Sequence, residues 1–457
     1  MKKLILSFFL STLGASAQDI TGDWYGTLEV PGTKLRVVLH IQQDASGYSA
    51  TMDSPDQGAT GVPITTTRFI SPMLTLEVPE AQIKYTGTYQ DQTIEGTFVQ
   101  GTASLKLDLT RQEIKLNRPQ QPKPPFPYVA EEVSFTNLKE NFNLAGTLTL
   151  PDKTGKHPVV ILISGSGQQD RDGELLGHKM FLVLADHLTR NGIAVLRYDD
   201  RGAGKSGGNP QMSTSADFAD DAAAAIEFLK THKNINTQKM GLIGHSEGGI
   251  IAPMLASSRN DVAFVVLMAA PGVTGDKLLL LQNELVGKAF EMPEADLSKI
   301  RGFNTTFYNL IRNITDDNQL KHQLTTEMLK VMQKNPDRLP PGTTIEQAAE
   351  TQVSQLMLPW TKFFIRYDPA VALQNTKCPV MAINGSTDVQ VASKQNLPAI
   401  AEALRSGGNE NVTIQEFPGV NHLFQESATG SPADYKDIEQ TISPLVLSEI
   451  TNWIKQQ

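Results

Sequence analysis

The stretch RPQQPKPPFPY, residues 118–128, carries Pro119, Pro122, Pro124, Pro125 and Pro127. Proline fixes φ and has no amide donor, so at this density neither a helix nor a central strand can run through it. The segment predicts a stiff, extended connector, with separate folding on either side. A chain of 457 residues also exceeds the size at which one hydrophobic core stops growing. The division is therefore expected as residues 18–113, a linker over 114–130, and residues 131–457.

The two sides differ in the period of their apolar residues. Before the linker it is two: KLRVVLHI places Leu35, Val37, Leu39 and Ile41 on one face, and SLKLDLT does the same with Leu105, Leu107 and Leu109. Turn residues punctuate these runs, as in SPDQG and TYQDQ, which predicts a small antiparallel β-domain, barrel or sandwich. Trp24 and Tyr25 in its first strand either stack on a ligand or pack the end of a barrel.

After the linker, short apolar runs alternate with helix patterns. VVILISG, IAVLRYDD, KMGLIGH, VAFVVLMAA and CPVMAING read as parallel strands buried on both faces. Between them lie MFLVLADHLTRNG, closed by Gly192, and SADFADDAAAAIEFLKTH, which Ser215 is placed to cap. The alternation predicts an α/β fold with a doubly wound, mostly parallel sheet. It is interrupted over 271–370 by amphipathic helices, expected as a cap over the carboxyl edge of the sheet. Met292, Met328, Met332 and Met357 would line that cap's substrate face or pack its own core.

The amino-terminal MKKLILSFFLSTLGASAQ has two lysines, an apolar run and small residues at Ala15 and Ala17, the pattern of a signal peptide cleaved after Ala17. The apolar run is too short to span a bilayer, so export without stable membrane insertion is expected, to the periplasm or outside the cell. Net charge is −9 and Lys and Arg are not clustered, which argues against nucleic acid as a partner. A single cysteine, Cys378, excludes an intrachain disulfide and a multi-cysteine metal site.

One pentapeptide carries chemistry. Gly244-His245-Ser246-Glu247-Gly248 follows an apolar run and precedes the helix-compatible GGIIAPMLA. A nucleophilic serine must expose its hydroxyl while backbone N–H groups converge on a developing oxyanion. A sharp strand-to-helix turn does both, and small residues two positions either side of the serine permit it. The serine needs a histidine base and an acid to fix the base's tautomer, following in the order serine, acid, histidine. Asp388 comes directly after CPVMAING, and His422 after NVTIQEF. Asp368 is the rival acid but precedes its strand in an Asp-Pro turn. His245 reads as structural, and the remaining histidines lie in the β-domain, on helices, in the cap or ahead of the serine. Ser166, in the turn after the first long strand, is expected to give one oxyanion N–H and Glu247 the other; Gly167 or Gln168 replaces Ser166 if the turn registers differently. The glycines of RGAGKSGG, Gly202, Gly204 and Gly207, read as a structural turn, since a phosphate loop needs glycine where Asp199 stands.

YDDRGAGKS, GHSEGG, RYDP before CPVMAINGSTD, and GVNHLF together resemble the α/β-hydrolase superfamily. Within it they look most like exported bacterial carboxylesterases related to serine aminopeptidases and prolyl oligopeptidase-like hydrolases. The resemblance spans residues 129–457 and implies hydrolysis of short-chain acyl esters, with a helical cap and without metal or cofactor. Two alternatives stay open. An aminopeptidase on the same triad would need an anionic cap site, for which Glu291, Glu294 and Asp296 are available. A binding protein would use the β-domain on a glycan or envelope partner.

Overall fold

The computed structural model describes residues 19–457 except 31–32, 46, 58, 102, 114–115, 335–338 and 340–342. The expected signal peptide lies outside the described residues. The chain divides into two compact units, Met1–Lys115 and Leu116–Gln457.

The smaller unit is one antiparallel sheet of ten strands. Strand Gly22–Val30 pairs with Thr33–Asp44 on one side and with Leu109–Thr110 on the other. Strands Gly47–Ser54 and Thr66–Ile70 lie towards opposite ends of the strand order, yet Tyr48 and Phe69 meet edge to face with ring centroids 5.8 Å apart. The unit is therefore a single sheet curled around its core, not two stacked sheets. Period-two alternation puts Val37, Leu39 and Ile41 inside, each at most 3% exposed, with Leu107 and Leu109. Trp24 is fully buried, its indole N–H donates to the Ile20 carbonyl at 2.8 Å, and Arg111 covers its ring. It packs the interior and offers no stacking face to a ligand.

In the larger unit eight strands form a mixed sheet: β1 (Val129–Asn137), β2 (Phe142–Leu150), β3 (His157–Ile163), β4 (Ala194–Tyr198), β5 (Ile235–His245), β6 (Phe264–Met268), β7 (Val380–Gly385) and β8 (Val412–Phe417). Their order is β1-β2-β4-β3-β5-β6-β7-β8. β2 runs antiparallel to β1 and β4, and all other pairs are parallel. The fold is that of an α/β-hydrolase. The β1–β2 hairpin is the part that apolar runs did not disclose, because β1 is an edge strand with alternate residues exposed and lacks the two-sided burial that marks a parallel strand.

Helices α1 (Met180–Arg190), α2 (Ser215–Thr231) and α3 (Gly248–Ala256) follow β3, β4 and β5. Gly192, at φ +92°, ends the turn after α1. The residue before α2 is Thr214, whose N–H and hydroxyl both donate to Asp217. Ser215, expected as the cap, is instead the first helical residue, and its hydroxyl donates to Glu247 at 2.6 Å. Between β6 and β7 stand α4 (Gly275–Ala289), α5 (Glu294–Asn313), α6 (Asp317–Gln333), α7 (Ile345–Leu356), α8 (Pro359–Arg366) and α9 (Pro369–Asn375). Helices α5 to α8 bury a core of their own around Phe307, Ile311, Leu324, Met328 and Val353. Met332 and Met357 pack against that core. Leu373 of α9 belongs instead to the core of the sheet, as do residues of α10 (Ser393–Ser406), while α11 (Pro444–Ile454) covers the opposite face with α1.

The proline-rich stretch is held rather than free where it is described. Arg118 is buried and donates to the carbonyls of Leu176, Lys436 and Ile438, and Gln120 exchanges hydrogen bonds with the backbone of Thr441 and Ile442. Among the described residues no helix is long and apolar enough to cross a membrane.

Candidate active site

Ser246 stands between the last residue of β5 and the first of α3, with φ at +53°. A non-glycine residue in this left-handed region is strained and persists only where its surroundings over-determine it. Here the Ser246 N–H donates to the Met268 carbonyl, and its own carbonyl accepts from the Gly249 N–H, both at 2.9 Å. The neighbouring glycines are required by contact. A Cβ on Gly244 would lie 2.0 Å from the Gly248 carbonyl oxygen, and one on Gly248 would lie 2.2 Å from that of Ile163. Both obstacles are backbone and cannot step aside as a flexible side chain could. Gly248→Ala is therefore expected to destabilise the protein by about 3 kcal/mol or more, read as a fall in the denaturant midpoint with unchanged slope. A midpoint within error of wild type would contradict this account of the turn.

Asp388, in the loop after β7, and His422, after β8, are both buried. Asp388 Oδ2 lies 2.8 Å from His422 Nδ1, while Oδ1 accepts from the N–H groups of Gln390 and Val391 at 2.8 Å each. The carboxylate is thus oriented by two backbone donors before it meets the imidazole. The contact fixes the proton on Nδ1 and leaves Nε2 as the basic atom. His245 points elsewhere: its Nε2 is 3.0 Å from the His422 carbonyl, and burial depresses its pKa to about 3. It is a neutral support for the His422 loop.

Ser246 and His422 line one cavity of about 360 Å³. Its wall takes Gly165, Ser166, Gln168 and Gln169 from the turn after β3, Leu278 and Gln282 from α4, and Trp360 and Phe364 from α8. Gly167 is not among the lining residues. Glu247 leads into α3, where the first N–H groups of a helix have no intrahelical acceptor. None of the four cap methionines lines this cavity, and neither do Glu291, Glu294 or Asp296. The last two lie near Arg301 and Lys299 respectively.

Three features escaped the sequence reading. Asp200, in the YDDRG run, accepts from Ser164 Oγ at 2.6 Å and from the Gln169 N–H at 3.0 Å, and so braces both ends of the turn that carries Ser166. The residue is half-buried, but its carboxyl is enclosed by that turn, and burial pushes its pKa up to about 8 against the opposing pull of Ser164 and Gln169. A carboxyl that holds its proton more tightly folded than unfolded contributes stability at low pH, and that contribution fades as pH rises through the folded value. Thermal stability is expected to fall between about pH 4 and pH 8 on this account, and Asp200→Asn to flatten that part of the profile. An unchanged slope in a melting series across the window would refute it.

The second feature is the Glu247 side chain, which is 2% exposed and accepts from Ser215 Oγ at 2.6 Å and from the Trp360 indole N–H at 2.8 Å. Burial raises its pKa. The third is His178, on the cavity wall, whose Nδ1 is 3.0 Å from Thr441 Oγ1 and whose pKa burial lowers to about 4. Neither had a local signal: a glutamate inside a glycine turn and a histidine between a glycine and a lysine are ordinary until tertiary contacts bury them.

The rival residues have structural partners. Asp368 caps α9 by accepting from the Ala370 N–H. Asp199 accepts from Arg171 and from the Lys205 N–H, and a Cβ on Gly204 would lie 2.4 Å from its Oδ2, which accounts for the glycine in RGAGKSGG.

The sequence model of a hydrolase family described as serine aminopeptidase, S33, matches residues 178–426, more than half of the chain. Esterase EstD of Thermotoga maritima is 26% identical over 317 residues, which cover 68% of this chain and 65% of the esterase. The protein YfhR of Escherichia coli is 32% identical over 147 residues, covering 31% of this chain and 48% of that protein. The match thus spans less than two thirds of either relative's own length. Among solved structures, the α/β-hydrolase GrgF of Penicillium superposes with a TM-score of 0.45 at 17% identity, covering 72% of this chain and 98% of that one.

Proposed function

This chain belongs to the serine aminopeptidase, S33, family of hydrolases, and from that premise we propose that it is an exported carboxylesterase acting on short-chain acyl esters. The observation that carries the reading is the buried Asp388–His422 pair, fixed by two backbone donors, opening on a cavity that also holds a serine at φ +53°.

Ser246 Oγ attacks the ester carbonyl carbon while His422 Nε2 takes its proton. Charge gathers on the former carbonyl oxygen, which the N–H groups of Ser166 and Glu247 stabilise. The C–O bond to the alcohol breaks, and His422 gives its proton to the leaving oxygen. Water then adds to the acyl-enzyme by the same route and releases the acid and Ser246. Asp388 holds the imidazole in the required tautomer and offsets its positive charge.

An aminopeptidase would need a carboxylate to receive the substrate's ammonium group. Glu174 is the acidic residue on the cavity wall, and it is paired at 3.3 Å with Lys179. The wall thus favours a neutral substrate. Turnover of p-nitrophenyl acetate and butyrate is expected to exceed that of aminoacyl p-nitroanilides by about 100-fold or more in kcat/KM; the reverse order would assign the site to the peptidase reading. Export predicts a mature amino terminus at Gln18, and its detection at Met1 in the purified native protein would count against cleavage after Ala17.

A further inference from the structure

We infer that the alcohol released at this site is a neutral carbohydrate or polyol; the inference rests on the ester-hydrolase reading above.

The cavity wall is uncharged in effect. It contains neither lysine nor arginine, and Glu174 is answered by Lys179. A phosphorylated alcohol would find no cation here and a quaternary amine no free anion. Yet the wall is far from uniformly apolar, since Gln168, Gln169, Gln282, Gln390 and Thr441 all border it.

Two of these amides are held in place. Gln390 Nε2 donates to the Tyr435 hydroxyl at 2.9 Å, and Gln168 Nε2 donates to the Gly202 carbonyl at 2.9 Å. A primary amide anchored by one N–H still has a second N–H and two lone pairs to offer. Because these amides are already oriented, a ligand that meets them loses little side-chain freedom on binding. An alkyl alcohol in the same place would strip water from them and return no hydrogen bond.

The aromatic contribution is equally fixed. Trp360 stacks on Phe364 with ring centroids 4.9 Å apart and planes 19° apart, and its indole N–H is tied to the buried carboxyl of Glu247. That tie is the role we assign to the Glu247 side chain, whose backbone alone enters the proposed chemistry. A rigid indole plate beside pre-oriented amides matches a pyranose or polyol, which presents C–H bonds on one face and hydroxyl groups around its edge.

Leu278, Phe364 and Val391 form an apolar cluster against which Trp360 also packs, so the plate is backed by fixed side chains. Gln390 stands two residues beyond Asp388, to which its N–H donates, and it lines the same cavity as His422, the residue proposed to protonate the leaving oxygen.

The test compares acetyl esters that differ only in the alcohol: an acetylated methyl glucoside, glycerol monoacetate and butyl acetate. The kcat/KM ratio of the glucoside ester to butyl acetate is expected to exceed about tenfold in the wild type and to fall about tenfold in Trp360→Leu and in Gln390→Leu. Trp360→Phe, which keeps a plate but loses the N–H to Glu247, is expected to lie between. A wild-type ratio to butyl acetate of one or less for both the glucoside and the glycerol ester overturns the inference, whether or not the variants fold, and so does a ratio that survives both leucine replacements in proteins with wild-type melting curves. Inactivity towards all three esters and p-nitrophenyl acetate is a different outcome: it removes the ester reading itself.

Discussion

Replacing Ser246 with alanine is expected to lower kcat for p-nitrophenyl acetate by about 10⁴-fold or more while leaving the melting temperature within a few degrees of wild type. The size follows from the role proposed for the serine. Without Oγ no acyl-enzyme forms, and only the oxyanion donors and substrate binding remain to assist attack by water. Stability should change little, because the strain at this position is set by backbone hydrogen bonds to Met268 and Gly249, which alanine retains. Alanine also carries the Cβ that serine has, so it meets no new obstacle. Steady-state kinetics, together with labelling by a fluorophosphonate, check both halves. Full activity in the variant would dismiss the nucleophile; lost activity with a collapsed melting curve would show only that the turn had been broken.

The second large effect belongs to Asp388. Its two oxygens have separate tasks, one accepting from two backbone N–H groups and the other meeting His422 Nδ1. In Asp388→Asn the carbonyl oxygen is retained by the two backbone donors, which puts the amide nitrogen towards the imidazole. A donor there calls for an acceptor on Nδ1, so the proton moves to Nε2 and the base is lost where Ser246 needs it. The expected fall in kcat is about 10⁴-fold near neutral pH, checked by the pH profile of kcat/KM. A loss below tenfold would show that Asp388 does not set the tautomer.

The parts of the site legible in the sequence were those where local backbone demands and chain order coincide. Gly244 and Gly248 stood out because few reasons justify glycine between an apolar strand and a helix, and the contacts a Cβ would make supply that reason. The pairing of Asp388 with His422 was legible because each follows an apolar strand of the same sheet, and parallel strands deliver their loops to one edge. The parts that were missed depend on distance in sequence. Glu247 lies 113 residues from Trp360, and Asp200 lies 36 from Ser164. Nothing in a short window distinguishes a glutamate that will be buried from one that will be solvated.

Period and punctuation in the sequence by themselves separated an antiparallel β-domain from an α/β unit, since alternation at two and two-sided apolar runs are incompatible ways of burying a strand; that the former is one curled sheet and not a sandwich came from the tertiary structure. They also determined where a strained serine must lie. Tertiary structure alone decided which polar side chains became fixed instruments of the site. Whether Glu247 faces water or an indole N–H, and whether Gln390 is loose or tied to Tyr435, depends on elements far apart in the chain closing over one cavity. Burial and these contacts then fix the orientation of both, and burial raises the pKa of Glu247.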